Sequence, residues 1–231
     1  MLGWFTPRRR RGVEVLDNPE VPDAVRTRAM ADVARSNRLF GGTRAVVTTV
    51  AALRAQLPPS AIILDVGTGT GDIAVALRRQ FPGFRCFGLD MSDTLLRVAR
   101  NDLDAVLAGD ARRLPLRDRS VDLVFCSQVL HHFETAEAEH LIAELHRVSR
   151  GWVLISDLRR SWVAAGGFLV AATALRFHPI TRGDGITSVL RGFTARDLGE
   201  HIALATGSSP VVQRKALWRL VATWRAGSTE R

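Results

Sequence analysis

The chain has 231 residues but only two cysteines, and Lys215 is its single lysine. Cys86 and Cys126 are too few for a disulfide framework. They read as reduced thiols inside a cytosolic protein. No apolar run is long enough to cross a bilayer. The nearest approach, "WVAAGGFLVAATAL" (162–175), is interrupted by Gly166 and Gly167 and ends at Arg176. The opening "MLGWFTPRRRRG" lacks the apolar stretch of a secretory signal. There is no internal repeat and no low-complexity linker. What is present is a 46% hydrophobic composition, enough for a large core and too much for a disordered chain. The length suits one domain carrying a small lid.

The charge is lopsided. A formal net charge of +9, carried almost wholly by arginine, suggests an acidic partner or surface, although a skewed genome composition gives the same excess. Arg8, Arg9, Arg10 and Arg11 follow Trp4 and Phe5. The plain expectation is a frayed, solvated terminus. The alternative is a peripheral membrane contact, with the aromatics in the headgroup layer and the arginines on anionic lipid. A terminal cluster alone is weak grounds for a nucleic-acid site, and no specific nucleic acid is expected.

Residues 19–57 have helical spacing in two stretches, "PDAVRTRAMADVARSN" and "TRAVVTTVAALRAQL", separated by "RLFGG" and closed by "PPS". Strands and helices then alternate. "AIILDV", "FRCFGLD", "AVLAGD", "VDLVFCS" and "GWVLISDL" read as strands. "DIAVALRRQF", "SDTLLRVARND" (Ser92 as its cap) and "ETAEAEHLIAELHRVSR" read as helices. Apolar strands alternating with helices predict a doubly wound α/β fold, a mostly parallel sheet covered on both faces. "TARDLGEHIALAT" adds a helix, and "VVQRKALWRLVATW" adds one or two strands that form an antiparallel edge. The organisation expected is a basic N-terminus and helical lid (1–57), a ligand-binding core (58–157), an insertion (158–192) and a closing segment (193–231).

The chemistry concentrates in "ILDVGTGTGDIAVAL" (62–76). An apolar strand ends on Asp65, and Gly67, Gly69 and Gly71 lead into a helix. Ligands of open parallel sheets sit beyond the strands' carboxyl ends, near the point where strand order reverses. Glycine allows positive φ and close approach. A P-loop is excluded because it needs G-x-x-x-x-G-K-[ST] and no lysine is near. A dinucleotide site is the competitor, but its G-x-G-x-x-G puts the third glycine at position 72. That residue is Asp72, an acid that would repel a pyrophosphate.

"DVGTGTG" resembles the first motif of the class I S-adenosylmethionine-dependent methyltransferases, a Rossmann-like family. The resemblance runs from 61 to 157 with its strand ends in order. It implies that Asp65, Gly67, Thr68, Gly69 and Gly71 form the cofactor loop. Asp90, with Met91 beside it, would meet the ribose hydroxyls, and Asp110, with Ala111, the adenine amine. Ser127 lies where the fourth strand leaves the sheet. The chemistry agrees, since carboxylates suit a cationic ligand and its hydroxyl and amine donors. Against this, a lone aspartate at a strand end is as often a turn former or cap. Enzymes of this class that act on base amino groups or on glutamine carry a "[DN]-P-P-[YF]" turn, where this chain has "CSQV" (126–129). "VLHHF" looks like the small-molecule branch. "NRLFGG" resembles, more loosely, the lid of the quinone-biosynthesis and natural-product methyltransferases.

The resemblance implies a small, aromatic or lipophilic acceptor such as a phenol or quinol, methylated at oxygen rather than carbon. The rivals are an RNA methyltransferase, a non-catalytic cofactor-binding protein and an NAD-dependent enzyme. The histidines His131, His132 and His178 are the candidate bases, since an imidazole titrates near neutrality. Asp157, Arg160, Phe168 and Arg182 are the candidate acceptor-site residues. Each has a plain alternative in core packing or solvation. Oligomeric state is not legible.

Overall fold

A computed structural model describes residues 6–10, 12–18 and 20–227. Among these residues there are seven strands in one sheet: β1 (Ile62–Val66), β2 (Arg85–Asp90), β3 (Ala105–Ala108), β4 (Val121–Ser127), β5 (Ser149–Leu158), β6 (Val211–Lys215) and β7 (Arg219–Arg225). Their spatial order is β3-β2-β1-β4-β5-β7-β6. The first five pair in parallel, while β7 runs antiparallel to β5 and to β6. The chain moves outward from β1 to β2 and β3, then returns to place β4 on the other side of β1. The reversal leaves a crevice above the ends of β1 and β4, where ligands of such sheets bind.

The strands are apolar because both faces are covered. On one face α5 (Thr135–Val148) and α8 (Ala195–Thr206) bury Leu141, Leu145, Leu198 and Ile202 against Val124, Ile155 and Leu220. On the other, α2 (Gly42–Leu53) and α3 (Asp72–Gln80) bury Val46, Val50 and Leu77 against Ile63, Leu123 and Phe125. Helix starts are encoded locally. The Ser92 hydroxyl accepts from Leu95 N and opens α4 (Asp93–Ala99). Thr194 and Asp197 form a capping box on α8, which ends on Gly207 at φ 68°. α1 (Asp23–Leu39) meets α2 through Gly41 at φ 77°.

The structure departs from expectation in four places. β3 ends at Ala108, two residues before Asp110, and α5 ends at Val148, so Ser149 and Arg150 belong to β5. The insertion holds two helices, α6 (Trp162–Ala174) and α7 (Pro179–Arg191), of which only the first was legible. Gly183 and Gly185 mask the helical spacing of α7. Gly185 is required, because a Cβ there would lie 2.1 Å from the Phe168 ring of α6. Finally, the basic N-terminus is not a solvated tail over the residues described. Arg9 donates to the carbonyls of Arg191 (2.8 Å) and Phe133 (2.9 Å), and its guanidinium lies over the Phe193 ring. Arg10 N donates to Leu190 O, and the Arg10 guanidinium lies over Trp162. Trp4, Phe5 and Arg11 fall outside the described residues. No helix among those described is long and apolar enough to cross a membrane.

Candidate functional site

The crevice above β1 and β4 is a cavity of about 870 Å³, reached by α1, the loop after β1, the end of β2, the turn after β4, and helices α6 and α7. Its floor is the glycine loop. Gly67 sits at φ 72° and Gly69 at φ 56°, both left-handed conformations that suit glycine. A Cβ on Gly67 would lie 2.3 Å from Val129 Cγ2. The loop is tied to the next strand, since Gly67 N and Thr68 N both donate to Leu89 O. Gly71, at φ 82°, turns the chain into α3 and packs on Ala99 and Leu103 rather than on the cavity.

Three carboxylates share this wall. Asp90 Oδ2 accepts from Gly69 N at 2.8 Å and Oδ1 from Ser92 N at 2.9 Å. Asp65 is buried and accepts from the Thr68 hydroxyl at 2.9 Å. Burial pushes its carboxyl well above the usual range, and the nearby Asp72 and Asp90 add to that against the Thr68 hydrogen bond. Asp72 is also raised, by burial first, with an Asn37 amide opposing it. Three acids grouped in this way form a wall that takes a cation and hydroxyl donors, and would repel a phosphate. Gln128, at the end of β4, holds φ 58° and hydrogen-bonds Asn37 of α1, so a strained residue links the lid to the sheet.

The opposite wall is built around a histidine pair on the single turn Leu130–His132 that follows β4. His131 is 2% exposed. Its Nδ1 meets Asp157 Oδ1 at 2.7 Å, while Asp157 also accepts from His131 N (3.2 Å) and Leu158 N (2.6 Å). His131 Nε2 faces Glu14 Oε1 at 3.5 Å. His132 repeats the arrangement, with Nδ1 3.0 Å from Asp17 Oδ1 and Nε2 3.9 Å from Glu14 Oε2. Burial opposes a charge on His131, but the carboxylates of Asp157 and Glu14 outweigh it and raise its pKa to about 9. Asp157 and Glu14 are both held below the usual carboxylate range: burial opposes this, and the histidine contacts prevail.

Glu14 and Asp17 come from an N-terminal strap. Val15 N and Leu16 N donate to the two Asp184 oxygens (2.9 and 3.0 Å), Arg26 donates to Leu16 O, and Ser188 donates to Glu14. Arg191 donates to the carbonyls of His131 and His132.

Of the residues named from the sequence, Asp65, Gly67, Thr68, Gly69, Asp90, Met91, Ala111, Ser127, His131, His132 and Phe168 all border this one cavity. Asp110 is turned to Arg112, whose guanidinium and backbone N–H take both its oxygens. Asp157 lies behind His131 rather than on the cavity surface. Arg160 fastens the strap, donating to Pro7 O and pairing with Asp197 at 2.8 Å. His178 is the N-cap of α7: its Nδ1 accepts from Ile180 N and its own N–H donates to Asp32. Arg182 lies on α7 but does not itself border the cavity. Glu14, Asp17, Asn37, Gln128 and Arg191 were not anticipated. No local pattern marks them, since each acquires a role only through a contact more than fifty residues away.

Residues 63–151 match a family model described as a methyltransferase domain. Over that stretch the chain is similar to a methyltransferase domain. The matched stretch spans β1 to the start of β5, including the glycine loop, the acidic wall and the histidine pair. The chain is 32% identical over 158 residues to a malonyl-[acyl-carrier protein] O-methyltransferase of Methylococcus capsulatus, covering 61% of this chain and 57% of that protein. It is 34% identical over 100 residues to a demethylmenaquinone methyltransferase of Thermotoga maritima, covering 42% and 43%. It thus spans about half the length of these curated relatives. Among solved structures, magnesium protoporphyrin IX methyltransferase from Synechocystis, with bound SAH, aligns over 92% of this chain and 91% of its own, with a TM-score of 0.58 and 16% identity. Human N-acetylserotonin methyltransferase, in complex with SAM, aligns over 90% and 57%, with a TM-score of 0.62 and 16% identity. The methyltransferase fold therefore extends well beyond the matched stretch.

Proposed function

We propose that this protein transfers a methyl group from S-adenosylmethionine to a hydroxyl oxygen of a small, lipophilic, aromatic acceptor. The observation that carries the reading is a single cavity bordered both by the glycine loop with Asp65 and Asp90 and by His131, whose ring is held from behind by the buried Asp157. The residues fit the cofactor. Asp90 is poised for ribose hydroxyls, Gly67 and Gly69 leave room for close approach, and the buried Asp65 gains a partner when a cation is near. Asp110 is assigned to the adenine end through the loop it shares with Gly109 and Ala111, both on the cavity.

When bound, the cofactor supplies a methyl group already activated on a sulfonium. The protein aligns and dries the acceptor, and positioning of that kind is worth roughly 7–11 kcal/mol. Phe168, edge-on to Phe40 and Phe177, gives the acceptor an aromatic wall. His131 borders the acceptor pocket, its ring fixed by Asp157 through Nδ1 and by Glu14 facing Nε2. His132 stands beside it on Asp17. α6 and α7 roof the acceptor, and the strap closes the far side.

The methyl-transfer part of the reading is supported by relatives named malonyl-[acyl-carrier protein] O-methyltransferase and demethylmenaquinone methyltransferase. Calorimetric titration with S-adenosylhomocysteine, with NADH as control, tests the cofactor half. Micromolar binding of the first alone is expected, and binding of NADH alone would reverse the assignment. Transfer of labelled methyl to phenols and quinols tests the acceptor half. Labelling of RNA instead would replace the acceptor.

A further inference from the structure

We infer that Glu14, His131 and His132 form a binding site for one divalent transition-metal ion of the zinc class, with a coordination position left open to the cavity. Among the described residues these three side chains form a cluster whose ligand atoms all lie within 4.8 Å of one another. Glutamate with two imidazoles is a donor set that zinc accepts, and sites with three protein ligands keep a fourth position for water or substrate.

The arrangement around the cluster argues for a cation. Metal-binding imidazoles almost always have their second nitrogen fixed by a carboxylate or carbonyl. Here both are: His131 Nδ1 by Asp157 at 2.7 Å and His132 Nδ1 by Asp17 at 3.0 Å. Nε2 of each ring faces the Glu14 carboxylate, at 3.5 and 3.9 Å; in the metal-free protein a proton on His131 supplies the positive charge there, and the metal ion would displace it. His131 Nε2 is buried and has no hydrogen-bond partner. A tetrahedral ion with bonds of about 2.1 Å has ligand–ligand edges of about 3.4 Å; the Glu14–His131 separation of 3.5 Å already matches, while the Glu14–His132 separation of 3.9 Å and the spread of up to 4.8 Å are closed by side-chain rotation. Arg191 is the rival cation. Its Nη1 stands 3.8 Å from Glu14 and 3.5 Å from Asp17 and makes no hydrogen bond to either.

Two consequences follow. One ligand lies on the strap and two on the turn after β4, so the ion fastens the strap over the cavity. The open position would take an acceptor oxygen and lower its proton affinity; this role rests on the acceptor reading above, whereas the site itself does not.

The test is titration of tag-free, chelator-stripped full-length protein with Co²⁺, followed by visible absorption, and with Zn²⁺ by calorimetry. One equivalent is expected, with the intense bands of low-coordinate Co²⁺ and with S-adenosylhomocysteine binding retained. Glu14→Gln and His132→Asn should each weaken Zn²⁺ binding at least tenfold. The more exposed Asp17→Asn, which acts only through His132, should weaken it about 10- to 100-fold. Protein that binds S-adenosylhomocysteine but takes up no stoichiometric ion overturns the inference, as does uptake unchanged in Glu14→Gln or, should that variant not fold, in Asp17→Asn. A change in the Co²⁺ bands on adding a phenolic acceptor supports the acceptor role. Stoichiometric uptake with no such change overturns that role and leaves the site standing.

Discussion

Replacing Gly67 by alanine isolates what the glycine loop contributes. Two separate penalties apply. Holding alanine at φ 72° costs about 1–2 kcal/mol. The new Cβ also arrives 2.3 Å from Val129 Cγ2, against an ordinary contact near 3.5–4 Å, and overpacking of that kind costs about 1–3 kcal/mol. The sum is about 2–5 kcal/mol, read from urea unfolding followed by circular dichroism. The clash is a property of the pair and the backbone strain is not. Adding Val129→Ala should therefore recover the overpacking part alone, leaving a coupling of about 1–3 kcal/mol in the double-mutant cycle. Relief of the strain without the added mutation would require the loop to move away from the cavity. That predicts at least a tenfold loss of S-adenosylhomocysteine affinity wherever the variant stays folded. A Gly67→Ala protein within 0.5 kcal/mol of the parent, or a cycle that is simply additive, would show that the turn does not need this glycine.

Asp90→Ala removes the acceptor for Gly69 N and, on the proposed function, for the ribose hydroxyls. S-adenosylhomocysteine affinity should fall at least tenfold by calorimetry, and an unchanged affinity in folded protein defeats the ribose assignment. Asp65 supplies a pH prediction. Its folded pKa is raised by burial, so the folded state holds this proton more tightly than the unfolded chain does. Stability should be fullest below the ordinary carboxylate pKa and decline as pH climbs through the raised one. A ligand bearing a cation favours the ionised form, so binding should release a proton in that window. Calorimetry in two buffers of different ionisation enthalpy reads this directly, and equal heats would rule it out. His178→Ala removes the α7 cap and should cost about 1 kcal/mol of stability while sparing turnover; a collapse of turnover would return His178 to the reaction.

Much of the fold was legible because its signals are local. Alternating apolar strands and helices announce a parallel sheet from composition and period, and Ser92 and Thr194 announce helix starts from one turn of chain. The glycine loop was legible for the same reason: positive φ at Gly67 and Gly69 is a backbone requirement met by residue type alone. The Asp65 and Asp90 positions followed from being strand ends in a fold whose ligands sit there. α7 was not legible, because Gly183 and Gly185 dilute its pattern and the reason for Gly185 is the Phe168 ring of another helix. His178 was misleading in the same way, since a histidine before proline is a cap only once Ile180 N and Asp32 are seen beside it.

The sequence by itself determined the strands of a mostly parallel sheet and the glycine loop after the first of them, for these depend on period and turn residues; their order across the sheet came only from the tertiary structure. The histidine wall was decided only by tertiary structure. The histidines belong to one short turn, Asp157 to the next strand, and Glu14 and Asp17 to a strap more than a hundred residues earlier. Their separation along the chain carries no periodic signal. The interaction between them exists only after the sheet has placed β4 beside β5 and Asp184 has drawn the strap across the cavity.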